Sequence, residues 1–121
     1  MLNKVLSTHQ KIYFFVEENI KMENAPLFYE EFTKSNDFIG KSIFLDFTKV
    51  NFVDSSGIGI LIRCADYLKY RSAKLVLVNI NKSLYAVFRL AGLNQIFEII
   101  QKEDLKNFLD KEELKKIQSN R

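Results

Sequence analysis

The sequence contains one cysteine, one histidine, one proline and no tryptophan among its 121 residues. A single cysteine cannot form an internal disulfide, and Cys64 and His9 together do not make a metal-binding cluster. No apolar run approaches the ~20 residues that a membrane-spanning helix needs, and the N-terminus lacks the apolar core of a signal peptide. We therefore expect a cytoplasmic protein with no metal, no cofactor and no membrane span.

An excess of charge of one sign is also missing. The 18 basic and 15 acidic residues give a net charge of +3, and the one basic cluster, Lys111, Lys115 and Lys116, is diluted by neighbouring acidic residues. Proteins that bind the phosphate backbone usually concentrate basic charge on one face, so we expect no direct contact with nucleic acid. The 47% hydrophobic content is sufficient for a buried core.

Short apolar runs and amphipathic segments alternate along the chain. Residues 5–7 and 11–16 predict a β-hairpin, and nearly continuous apolar runs predict buried, parallel strands within 41–47, 74–80 and 96–100. Helical spacing predicts four helices: one that begins around Pro26, one over 57–71, one after Asn81 and one over about 102–117. The sequence thus predicts one α/β domain over residues 1–121, with a mixed, mostly parallel sheet of about five strands.

Apolar spacing also predicts which helix faces are buried. In the second helix the i, i+3, i+4, i+7 pattern selects five residues for the core face: Ile58, Leu61, Ile62, Ala65 and Leu68. In the C-terminal helix, Leu105, Phe108 and Leu109 are expected to face inward.

The segment Val53-Asp54-Ser55-Ser56-Gly57-Ile58-Gly59, at the start of the second helix, is the most distinctive in the chain. Asp or Ser is a preferred N-cap residue, so these side chains could simply satisfy the first backbone donors. A catalytic serine is disfavoured because the glycine of a nucleophile elbow is missing and His9 is the only histidine. A nucleotide site is disfavoured because the Gly-x-Gly has no third glycine and no Gly-Lys-Ser/Thr follows.

A longer stretch adds a fourth interpretation. Residues 43–47 through 52–59, then 75–80, then 84–93 with its Ala91-Gly92-Leu93 ending form an ordered set of three blocks. This set resembles STAS domains, and most closely the bacterial anti-sigma factor antagonists.

The resemblance implies a binding protein without a catalytic centre. In that family the first serine after the aspartate, here Ser55, is phosphorylated by an anti-sigma factor that is a serine kinase, and a serine phosphatase restores the unmodified form. The unmodified antagonist binds the kinase and frees its sigma factor. The loop would be supported by five residues: Asp54, Ser56, Gly57, Gly59 and Asp46.

Four residues around the second helix are candidates for the partner interface: Lys21, Ile58, Arg63 and Tyr67. Lys21 stands where the family usually carries an acidic residue. That difference favours the alternative function, a constitutive STAS scaffold subunit of a lipid-transport or stress-sensing complex. The intact Asp54-Ser55-Ser56 favours the phosphorylation switch.

Overall fold

The structure is a computed structural model that describes residues 1–34 and 37–120. Its regular elements, in chain order, are β1 Leu2–Ser7, β2 Lys11–Val16, α1 Ala25–Thr33, β3 Ser42–Asp46, α2 Ser55–Lys69, β4 Lys74–Val78, α3 Lys82–Leu90, β5 Glu98–Ile100 and α4 Lys111–Ser119. Two short 3₁₀ helices lie at Leu93–Gln95 and Lys102–Asn107. None of the described helices is both long and apolar enough to cross a membrane.

The five strands form one sheet in the order β1-β2-β3-β4-β5. β1 pairs antiparallel with β2 as the predicted hairpin, and every other neighbouring pair is parallel. The mixed, mostly parallel α/β sheet predicted from the sequence is therefore confirmed. The carboxyl ends of β2, β3 and β4 lie at one edge, which is where binding sites gather in such sheets.

Strand alternation divides the interior into two cores. In β2, Ile12, Phe14 and Val16 point to the core that α1, α2 and α3 cover. Tyr13 and Phe15 point to the opposite core, which α4 and the 3₁₀ helix Lys102–Asn107 cover. Because both faces of the sheet are covered, the central strands are apolar at almost every position.

The predicted buried face of α2 is confirmed at Leu61 and Leu68 but not at its other three residues. Ile58, Ile62 and Ala65 are only partly buried, and the fully buried positions are instead Gly57, Ile60 and Cys64. In the first turn Gly57 lies close to the backbone of Ile20, a contact between distant segments that helical spacing does not reveal.

The predicted C-terminal helix over 102–117 is wrong as a single element. The chain forms the 3₁₀ helix Lys102–Asn107, and α4 begins only at Lys111. The break arises from a capping box, in which the Asp110 side chain accepts from the Glu113 N–H and the Glu113 side chain accepts from the Asp110 N–H, both at 2.9 Å. Leu105, Leu109 and Ile117 still reach the second core.

Candidate functional site

The N-terminus of α2 is capped by Asp54, which joins two segments of the chain. One carboxylate oxygen accepts from the Gly57 N–H at 2.9 Å, and the other accepts from the Met22 N–H, also at 2.9 Å. These backbone donors, that of Gly57 first, lower the pKa of the Asp54 carboxyl, and the positive charge of Lys21 contributes in the same direction. Asp54 is therefore ionised at neutral pH.

The loop before α2 is held by the segment from Asn19 to Asn24. Ile20 and Val53 form a parallel β-bridge. The Asn19 side-chain oxygen accepts from the backbone N–H groups of Asn51 and Phe52, at 2.8 and 3.1 Å. The Asn24 side chain in turn donates to the Asn19 carbonyl oxygen at 2.9 Å. We call residues 19–24 the strap. Its polar bonds give the loop one fixed conformation.

Gly57 is the closest contact between α2 and the strap. A Cβ at this position would lie 2.6 Å from the Ile20 carbonyl oxygen and 2.6 Å from a methyl carbon of Val53. A side chain at position 57 would not fit, because the backbone carbonyl group of Ile20 cannot move aside without shifting the strap. Gly57 therefore supports the loop by allowing the strap to approach.

Ser55 is the first residue of α2, and its side chain is exposed, while Ser56 is half-buried. Gly59 lies one helical turn further along the same side, with open space where its Cβ would be. Helical side chains lean towards the N-terminus, so any side chain at position 59 would extend over the Ser55 surface. Gly59 does not brace the loop as predicted; it leaves the approach to Ser55 open.

Two exposed apolar side chains, one in the strap and one in the loop before α2, were not identified from the sequence. Met22 is 68% exposed and Phe52 is 52% exposed. The backbones of both residues take part in the hydrogen bonds described above: the Met22 N–H donates to the Asp54 carboxylate, and the Phe52 N–H donates to the Asn19 side chain. Exposed apolar residues near a polar site are typical of binding surfaces. Sequence alone does not show that these two side chains are exposed, because their exposure depends on how the strap and the loop pack together.

Asp46 is fully buried and lies on the opposite face of the sheet. Its carboxylate accepts from the Tyr13 hydroxyl at 2.6 Å, and from the N–H and hydroxyl of Thr48. Asp46 therefore stabilises the turn after β3, a different place from the Ser55 loop that it was expected to support. The sequence did not reveal this because strand alternation assigns a face only once the register is known.

The four interface candidates lie in two places. Lys21 belongs to the strap, where its ammonium group is 3.7 Å from Glu23, and Ile58 is half-buried in the first turn of α2. Arg63 and Tyr67 lie further along α2, next to α1, where Arg63 is exposed and stacks on Tyr29. Ile58 adjoins Ser55, whereas Arg63 and Tyr67 belong to a separate cluster.

The arrangement can bind, but its parts do not form a catalytic pair. His9 lies in the turn before β2, at the amino end of the strand, whereas Ser55 lies beyond the carboxyl end of the parallel neighbour β3. A strand of this length separates the two edges by about 20 Å, so His9 cannot activate Ser55. Within residues 1–34 and 37–120, no group of three His, Cys, Asp or Glu residues is placed to hold a metal ion.

Comparisons with known proteins find similar sequences and structures. A family model described as STAS domain matches residues 3–106. The anti-sigma-B factor antagonist of Listeria monocytogenes serovar 1/2a is 31% identical over 88 residues, which cover 73% of this chain and 77% of the relative.

Solved structures share the fold at lower identity. A crystal structure from Thermotoga maritima, described as that of an anti-sigma factor antagonist, has a TM-score of 0.73 at 20% identity and covers 88% of this chain and 92% of its own. The phosphorylated form of the Bacillus cell fate determinant SpoIIAA has a TM-score of 0.63 at 15% identity, covering 88% of this chain and 97% of its own.

Proposed function

The chain belongs to the STAS domain family, and from this premise we propose that it is an anti-sigma factor antagonist switched by phosphorylation of Ser55. Unmodified, it would bind an anti-sigma factor that is also a serine kinase, and so free a sigma factor. Phosphorylation by that kinase would end the interaction, and a serine phosphatase would restore it. The observation that carries the proposal is that Ser55 is exposed at the start of α2 while Asp54, not Ser55, caps the helix.

The local geometry can accept a phosphate without unfolding. The Ser55 side chain is exposed and contributes nothing to the cap, which Asp54 makes through Gly57. The N-terminus of a helix favours negative charge because its first N–H groups point outward and the peptide dipoles align. Modification therefore changes the surface and leaves the fold in place.

A phosphate on Ser55 would also lower the affinity for a partner that binds over this surface. A phosphoserine at position 55 adds about −1.5 to −2 charges next to the ionised Asp54, on a surface where Met22 and Phe52 are also exposed. Burying that charge unpaired against an apolar contact costs on the order of several kcal/mol. Since about 1.4 kcal/mol corresponds to a tenfold change, affinity would fall ~100-fold or more. The switch would act through charge and bulk at one side chain.

The test uses the anti-sigma factor kinase encoded in the same genome, purified and titrated calorimetrically against four forms of the protein. These are the wild type, Ser55→Ala, Ser55→Asp and the matched control Ser83→Asp, which places the same charge in the first turn of α3. We expect tight binding by the wild type, Ser55→Ala and Ser83→Asp, and a loss of ~100-fold for Ser55→Asp. With ATP, the kinase should label the wild type but not Ser55→Ala.

Equal affinity of all four forms would overturn the switch. Constitutive binding of that kind would instead support a scaffold role, to which the basic Lys21 also points. Labelling that persists in Ser55→Ala would place the acceptor at another residue.

A further inference from the structure

A cluster of two arginines and two tyrosines lies between α1 and the second half of α2. Arg63 stacks on Tyr29 with 4.2 Å from its guanidinium carbon to the ring centroid, and Arg71 stacks on Tyr67 at 3.5 Å. The four residues border an open cavity of about 290 Å³ that Asp66 and Tyr70 complete. We call Tyr29, Arg63, Tyr67 and Arg71 the arginine–tyrosine cluster.

The cluster is ordered before any ligand arrives. Tyr29 and Tyr67 meet edge to face, with 6.2 Å between ring centroids, and Tyr67 makes a similar contact with the buried Phe38. Arg71 also donates from its guanidinium to the Tyr67 carbonyl oxygen at 2.9 Å. A stacked guanidinium loses little further freedom when it forms hydrogen bonds, so binding costs less entropy.

The two guanidinium groups are not neutralised within residues 1–34 and 37–120, because none of the ion pairs formed there includes Arg63 or Arg71. Stacking occupies a face of each guanidinium, and the edge N–H groups other than the one that Arg71 donates to the Tyr67 carbonyl can form the fork that matches a carboxylate. The residues that line the cavity include two positive charges, Arg63 and Arg71, and one negative charge, Asp66, so their net charge is about +1. A single carboxylate matches that net charge, whereas a phosphate ester of about −1.5 to −2 exceeds it.

We propose that the arginine–tyrosine cluster binds an acidic side chain, Asp or Glu, of the partner protein that docks over Ser55. The identity of that partner rests on the proposed function. Arg63 lies two turns beyond Ser55 on α2, a rise of about 12 Å, and both side chains are exposed. A partner that covers about 800 Å² of this surface reaches both. Tyr and Arg are also the residue types that contribute most to binding at interfaces.

The test requires no partner protein. The ¹⁵N-labelled wild type is titrated with a short oligoglutamate peptide, with the matching oligoglutamine peptide and with inorganic phosphate at equal ionic strength. The Nε–H resonances of Arg63 and Arg71 are followed, and Arg89, exposed in the last turn of α3, is the matched control. The variants Arg63→Lys and Arg71→Lys keep the positive charge but lose the paired N–H donors of the guanidinium. The variant Arg89→Lys makes the same substitution outside the cluster and is the control.

We expect saturable shifts of Arg63 and Arg71 with oligoglutamate alone, and a Kd about tenfold higher in Arg63→Lys and Arg71→Lys but not in Arg89→Lys. Equal shifts at Arg89 would reduce the effect to general charge attraction and overturn the proposal. Tighter binding of phosphate than of oligoglutamate would overturn the assignment to a carboxylate. If the Arg63 and Arg71 resonances do not shift with any of the added ligands, the cluster is not a binding site and the proposal is wrong.

The two proposals can fail separately. Ser55→Asp leaves the cluster unchanged, so it should bind oligoglutamate as the wild type does. If Ser55→Asp also retains full affinity for the anti-sigma factor, the switch fails while the acidic-side-chain site remains.

Discussion

Helices α2 and α3 begin at the same edge of the sheet with the same kind of cap, yet only α2 carries the candidate site. Asp54 accepts from Gly57 N–H at 2.9 Å, and Asn81 accepts from Leu84 N–H at 2.8 Å. Both cap residues are in extended backbone conformation, and each cap side chain also bonds to another segment. A capped helix at the ligand-binding edge of an α/β sheet is thus not sufficient to make a site.

The difference lies in the first turn. At the third helical position α2 has Gly57, which meets the backbone of the strap, whereas α3 has Leu84, which is buried in the core. At the first position α2 presents Ser55 and α3 presents Lys82, both exposed. The α3 terminus is held by side-chain packing and the α2 terminus by backbone contact. The α2 terminus presents a small, exposed hydroxyl group at its first position.

The largest predicted effects come from the third helical position. Leu84→Ala removes a buried side chain and should lower the free energy of unfolding by about 2–5 kcal/mol. Gly57→Ala adds a methyl group against the Ile20 carbonyl and should cost about 1–3 kcal/mol. Urea unfolding followed by circular dichroism measures both. A Gly57→Ala variant as stable as the wild type would mean that the strap yields freely, and the distinction between the two termini would disappear.

The two caps should differ in their response to pH. Asn81→Ala should cost about 1 kcal/mol at every pH between 3 and 7, because the amide does not titrate. Asp54→Ala should cost more at neutral pH, since Asp54 binds two backbone donors.

The sign of the pH effect follows from the lowered pKa of Asp54. A lowered pKa in the folded protein stabilises it above the unfolded value of about 4, and this contribution is lost as pH falls through the folded value. The difference between wild type and Asp54→Ala should therefore shrink in acid, as urea titrations at several pH values would measure. A difference that does not change with pH would show that the charge of Asp54 contributes nothing.

The smallest predicted effect is a gain in stability. Gly59→Ala places a methyl group in open space within a helix and should raise the free energy of unfolding by about 0.5–1 kcal/mol. The same substitution on the same helix thus has opposite signs at positions 57 and 59. Thermal unfolding of the two variants side by side is the measurement, and a loss of stability in Gly59→Ala would contradict the open space beside Ser55.

Much of this architecture was predictable because it depends on local patterns. The buried runs of β3 and β4, the cap at Asn81, and Gly92 in the left-handed conformation after α3 follow from propensities that act within a few residues. For α2 the sequence left the cap open among Asp54, Ser55 and Ser56, and the structure has Asp54. The errors are of two kinds, a local capping box that was overlooked and contacts between distant segments. The C-terminal helix was predicted as continuous because its apolar spacing is nearly continuous, whereas the Asp110–Glu113 capping box interrupts it.

By itself, the sequence determined the order of strands and helices and the place of the Asp54-Ser55-Ser56 segment near the start of the second helix. Only the tertiary structure decided that Gly57 packs against Ile20, that Asp46 faces away from the site, and that Arg63 and Tyr67 join Tyr29 of another helix. The physical reason is the separation along the chain over which each kind of interaction acts. Propensity and capping energies act between neighbours in the chain, whereas these three features are set by close packing of segments far apart in sequence.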